Sequence, residues 1–298
     1  MANMNVNLAA IPGFLATHAR VLDRRRYDLL MGDGDAHGVL AALEAYRNPD
    51  GGYGWGLEPD LRSPESQPGA ALHAFEVFED VAPETSPRAA ELCGYLDAIS
   101  LPDGGLPFGL PVTVSHGTAP WWASADGTTS SLQITAVSAA AAHRVAAHDP
   151  AVAAHPWLEK ATRYCLDAIQ ALEERPHAYV LSFAVLFLDA VYDTHPRAAD
   201  LLKRLGAYIP EDGRVPVEGG TANEALRPLD FAPHPGRPVR DLFQPEVIAA
   251  DLMRLTDGQQ DDGGWTVDYA RISPAGSLDW RGAITVHAVQ ILRANGVI

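Results

Sequence analysis

A turn made of an acidic residue, two glycines and a large side chain recurs along this chain, each time between two helical patterns. Its fullest copy is Gln260-Asp-Asp-Gly-Gly-Trp265. Ala249 to Leu255 before it and Ala283 to Leu292 after it carry apolar residues at helical spacing. The glycine pair ends the first helix and permits positive φ, and Trp265 is large enough to pin the turn to a helix end. The unit recurs early, where a helical stretch from Gly38 to Arg47 leads through Asp50-Gly-Gly-Tyr53 into another starting near Gln67. Asp103-Gly-Gly-Leu106 is a third copy, and Glu211-Asp-Gly-Arg214 a degenerate one. A fold made of such units must stack helical hairpins to bury their apolar faces.

The rest of the chain reads as about ten helices in pairs, with no strand pattern. Residues 8–31 are expected to form one helix, and Asp35 to cap the next. Helices are expected from Gln67 to Asp80 and from Pro87, suited to a first helical position, to Ile99. A long loop holding Trp121 and Trp122 leads to Ser124-Ala-Asp-Gly-Thr128 and an alanine-rich helix ending near Ala147. Residues 157–173 and 177–192 form a further pair, residues 197–209 another helix, and the proline-rich stretch 217–241 is irregular.

The chain has 298 residues, 47% of them hydrophobic, enough for a real core. A formal net charge of −16 argues against nucleic acid and against an anionic membrane surface. The longest apolar runs fall short of a membrane span, and no basic-then-apolar leader opens the chain, so the expected location is the cytoplasm. Cys93 and Cys165 sit inside helical patterns and are expected to be buried free thiols, not a disulfide framework.

The acidic Gly-Gly-aromatic turns resemble the repeats of the terpenoid cyclase and protein prenyltransferase superfamily, squalene–hopene cyclases among them. The resemblance spans most of the chain and implies an all-α fold: a single-domain α/α toroid of five to six helical hairpins over residues 1–298, with the helix at 8–31 packed on the ring. It also implies a cyclase or isomerase acting on an isoprenoid or similar apolar small molecule in a central cavity. A zinc site of the prenyltransferase kind is not expected, because neither cysteine is suitably placed, and no cofactor is expected. The counterpart of the superfamily's acidic motif is Ser124-Ala-Asp-Gly-Thr128, with Asp126 at the position of the catalytic acid; Ser124 and Gly127 depart from the pattern.

In a closed ring His73 and His287 are equivalent and adjacent, with Gln133 at the same register, and the two histidines are candidates for proton transfer. Trp55, Trp121, Trp122, Tyr269 and Trp280 are candidate cavity walls, suited to cations or to sugar rings. Two other readings keep the barrel. In a carbohydrate-active glycosidase, lyase or epimerase, Glu58, Asp60, Asp268 and Asp279 supply paired carboxylates. In a non-catalytic toroid, the cavity binds a small molecule or a protein partner.

Overall fold

The computed structural model describes residues 6–298. The architecture is all-α. Among the described residues the helices are α1 (Ile11–His18), α2 (Val21–Met31), α3 (Ala36–Leu43), α4 (Pro68–Asp80), α5 (Pro87–Ile99), α6 (Pro120–Ala123) and α7 (Leu132–Ala146). They continue as α8 (Pro150–Ala153), α9 (Pro156–Gln170), α10 (Ala178–Ala190), α11 (Ala198–Gly206), α12 (Pro228–Phe231), α13 (Pro245–Asp257) and α14 (Pro274–Ala294). A two-residue antiparallel pair, β1 (Val215–Pro216) with β2 (Ala225–Leu226), interrupts the stretch expected to be irregular. Among the described residues no helix is long and apolar enough to cross a membrane.

Residues 8–31 are two helices, not one. The break falls at Arg20, whose backbone is extended. Its guanidinium turns inward to bond Asp23 and the Leu57 carbonyl at 2.8 Å, which a continuous helix would carry past them. Asp35 does cap α3, accepting from the Gly38 N–H at 2.7 Å.

The alanine-rich α7 is the most embedded helix. Its residues from Ile134 to Ala142 are all buried, and it packs against α4, α9 and α10. Small side chains on every face let three neighbours approach it closely. Larger groups fill the layer beyond, where Trp157 of α9 lies flat against Phe75 of α4 at 6.1 Å between ring centroids. A second apolar cluster joins the two ends of the chain: Ile11, Phe14, Leu15 and Tyr27 pack with Trp265, Val286, Val289 and Leu292. Burying one such side chain contributes about 1.5–3 kcal/mol, so this cluster ties α1 and α2 firmly to α14.

The Gly-Gly turns share one hydrogen-bond pattern. In each, the aspartate accepts from the N–H two residues on: Asp50 from Gly52, Asp103 from Gly105, Asp262 from Gly264. In each, the first glycine has positive φ, between 87° and 95°. The second is pressed against a neighbouring helix, so that an added Cβ would lie 2.9 Å from Tyr95 of α5 at Gly52, 2.8 Å from Tyr164 of α9 at Gly105, and 2.6 Å from Phe14 of α1 at Gly264. Asp212-Gly213 keeps the positive φ and the aspartate bond, now to Arg214.

These contacts leave no room for a methyl group at the last turn. Gly264→Ala is therefore expected to destabilise the protein by about 1–3 kcal/mol, the usual cost of overpacking a tight site. A thermal melt unchanged from the parent protein would contradict this account of the turn.

Candidate functional site

Glu58 and Asp60 stand on the loop that runs from the first Gly-Gly turn to α4. That loop is buried although it is not helical, so its polar groups need partners. Other segments supply them: Arg20 donates to the Leu57 carbonyl, the Ala119 N–H to the Asp60 carbonyl, and Thr118 Oγ accepts from the Arg62 N–H. The start of α14 crosses it so closely that a Cβ at Gly276 would sit 2.7 Å from the Pro59 carbonyl. Three distant stretches thus hold one acidic loop in place.

His73 is the hub of the site. Nε2 donates to Glu58 at 2.9 Å and Nδ1 to Glu76 at 3.0 Å. Glu76 is three residues on, one turn along the same face of α4. Burial works against the imidazolium, but the Glu76 charge and the bonds from both carboxylates outweigh it and push the His73 pKa up to about 9. Glu76 is likewise opposed by burial and still drawn down to about 2 by His73. His73 is therefore a fixed cation at neutral pH, not a proton shuttle.

Asp60 has the opposite character. It is 5% exposed and, among the described residues, has no cationic partner. Its Oδ2 accepts from the Trp280 indole N–H at 2.8 Å. Burial raises its pKa to about 6, the Trp280 bond only partly opposing this and the nearby Glu58 adding to it. Trp280 stands edge-on to both His73 and Tyr269, at 5.8 and 5.3 Å between centroids. The Tyr269 hydroxyl is cut off from solvent and has no hydrogen-bond partner, an unusual state for a buried polar group.

His287 faces the same interior. It keeps accessible surface although protein encloses it deeply, and Glu76 and Asp230 do the same. Burial lowers the His287 pKa, with Glu76 partly opposing and His234, Arg26 and Arg144 reinforcing the shift. Burial raises Asp230 to about 6. Glu76 thus stands between the two histidines, bonded to one and acting through space on the other.

Other expected site residues lie elsewhere. Asp126 is exposed, accepts from the Thr128 N–H and hydroxyl at 2.8 and 2.6 Å, and has its pKa lowered by those bonds. It does not start α7, which begins at Leu132 and is capped by Ser131, whose hydroxyl accepts from the Ile134 N–H. Trp122 is packing: it stacks on Phe108 at 4.6 Å and presses on Gly69. Trp121 is exposed, and Trp55 is 57% exposed at the mouth of an open outer groove with Asn48 and Glu65. Asp279 is paired with Arg62 at 2.5 Å, and Asp268 with Arg227 at 3.3 Å.

Gln133 does not share the histidines' register. Thr135 and Thr285 both donate-and-accept at the base of a turn, taking the N–H of Leu106 and of Trp265. His287 is two residues beyond Thr285, and the residue two beyond Thr135 is Val137. Gln133 is half-buried on the preceding turn of α7. Glu76, Arg26 and Asp80 were not anticipated from sequence. Arg26 and Asp80 form an ion pair at 2.5 Å between α2 and α4, and Gln290 of α14 donates to the same carboxylate at 2.7 Å. The spacing of Glu76 from His73 was the available signal.

Among the described residues no three His, Cys, Asp or Glu side chains converge to hold a metal ion. Cys93 and Cys165 are free and fully buried, and burial pushes the Cys93 thiol up to about 12 and raises Cys165 well above the usual thiol range.

The His73 pair carries a definite pH signature. His73 gains its charge partner on folding, so its contribution is complete below its ordinary pKa and disappears as pH rises through about 9. Glu76 contributes above its ordinary pKa, and this is lost as pH falls through about 2. In a proton NMR titration the His73 ring should titrate near 9, and Glu76→Gln should bring that midpoint down; a midpoint in the ordinary histidine range would refute the buried pair. The chain matches no protein-family model and no curated protein, so the reading of this site rests on its own residues.

Proposed function

We propose that the helices close into a single α/α toroid of hairpin repeats, the arrangement implied by the resemblance to the terpenoid cyclase and prenyltransferase superfamily. The seating of the turns supports this. The first Gly-Gly turn rests on α5 and the second on α9, each the outer helix of the following hairpin; the last rests on α1, at the other end of the chain. The final unit therefore treats the first helix as its next neighbour, as a ring requires.

Within that ring the chain acts as an acid–base enzyme on a polar small molecule, a saccharide or a close relative of one. The observation that carries this reading is Asp60: a buried carboxyl with no cation beside it among the described residues, held at about 6, while Glu76, reached through Glu58 and His73, is drawn down to about 2. Groups pushed apart in this way can hold and accept protons at one pH. Asp60 exchanges the proton, and His287, kept neutral and accessible, is the free base. His73 fixes Glu58, and through it the loop that aims Asp60, since Glu58 also accepts from the Asp60 N–H at 3.1 Å. Trp280 offers an aromatic face to a ring substrate.

An isoprenoid substrate fits less well. Ionised and hydrogen-bonding groups surround His73 where that reading needs an apolar wall, and Asp126 stands apart from them, exposed and with a lowered pKa, the wrong direction for an acid that protonates an alkene.

A panel of mono- and disaccharides at millimolar concentration, read by ligand-observed NMR, tests the substrate class; a panel with no binder would sink it. For a substrate so found, Asp60→Asn should retain binding and lose about 10²–10⁴-fold in turnover, the usual worth of a positioned acid–base group. Undiminished turnover in that variant would remove Asp60 from the chemistry.

A further inference from the structure

We propose that the wall formed by Tyr269, Trp280, Glu58 and Asp60 is a seat for a cationic group, and that the substrate carries an amine. This rests on the saccharide-type reading above and narrows it to an amino-bearing molecule, such as an amino sugar.

Two aromatic rings stand nearly perpendicular here, Tyr269 against Trp280 at 78°. Perpendicular rings leave a corner walled by π-faces, and such faces attract an ammonium within about 6 Å. The polar groups at the corner are acceptors. Asp60 Oδ2 is occupied by the Trp280 N–H, which leaves its other oxygen without a partner. Glu58 binds His73 through one oxygen and the Asp60 N–H through the other, at a long 3.1 Å. An ammonium brings three N–H donors and no acceptor, the complement of this set.

The Tyr269 hydroxyl is the independent sign of a missing ligand. It is buried, has no partner, and feels the negative fields of Glu58, Asp60 and Asp268 without bonding any of them. Leaving such a group unsatisfied costs stability; among the described residues six buried side-chain atoms are in that state, and this one lies beside Glu58 and Asp60. The local charges agree. His73 is shared between two carboxylates, Arg227 is held by Asp268, and the remaining fixed charge at the corner is negative. The net charge of −16 extends that field outward and draws cations in. A cation seated beside Asp60 favours its ionised form, the form that accepts a proton from the substrate.

Three probes at neutral pH separate this inference from the reading it rests on: glucosamine, glucose and tetramethylammonium, each titrated by calorimetry and by ligand-observed NMR. The expected result is that glucosamine binds roughly ten-fold or more tightly than glucose, as one desolvated cation–π contact implies, and that tetramethylammonium competes with it. Equal affinity for the two sugars overturns the cationic seat and leaves the saccharide reading standing. Binding of tetramethylammonium with neither sugar supports the seat and removes the saccharide reading. No binding by any of the three overturns both. Tyr269→Phe removes only a hydroxyl that bonds nothing in the protein, so its thermal melt should match or exceed that of the parent. It should also weaken glucosamine and leave glucose unchanged; a stable variant with undiminished glucosamine affinity overturns the role given to Tyr269.

Discussion

The closeness of each Gly-Gly turn to a neighbouring helix is the constraint on which the rest depends. At Gly52, Gly105 and Gly264 an added Cβ would meet another side chain at 2.6 Å or less, a distance real Cβ atoms do not reach. The aspartate two residues before each second glycine holds the turn from inside, by accepting that glycine's N–H. The same aspartates also reach the next helix or its lead-in: Asp50 accepts from Ser66 and Asp103 from Ser130, each just before its helix, and Asp262 from Arg281, two turns into α14. One small motif therefore sets the exit of one helix, the entry of the next and the distance to a third. Because it recurs, it also sets the point from which the residues of the following helix are counted.

What the turns position is an interior that is polar where most of the molecule is not. Burying carboxylates and an imidazole costs stability unless each is bonded and charges are paired. His73 meets that requirement twice over, and Arg26, Asp80 and Gln290 meet it where α2, α4 and α14 approach one another. Asp60 and the Tyr269 hydroxyl do not. Both stand against Trp280, Asp60 through a hydrogen bond and Tyr269 ring against ring. That contrast between satisfied and unsatisfied neighbours is what recommends this part of the interior for the proposed function.

Much of this was legible in the residues. The glycine pairs, the helical spacing from Gln67 to Asp80 and the cap at Asp35 are local, and local chemistry decides them. Aligning two copies of one unit singles out His73 and His287 as candidates. The errors share a cause. The helix read through residues 8–31 breaks because Arg20 is drawn to a carbonyl 37 residues away. Asp126 was placed by analogy to a motif of which it keeps only the middle, and it closes a turn with Thr128 in the open loop. Gln133 was matched by neighbouring letters, whereas the bonds to Thr135 and Thr285 count from the turn.

By itself the sequence determined the helical class, the acidic turns and the roster of polar groups on apolar helices, since periodicity and backbone freedom are properties of adjacent residues. Only the tertiary structure decided which of those groups meet. Glu58 and Asp60 come from a loop, His73 and Glu76 from α4, Tyr269 and Trp280 from the far end of the chain. Their pKa values, and with them any chemistry, arise from burial and from charges brought within a few ångströms, quantities that no spacing along the chain contains.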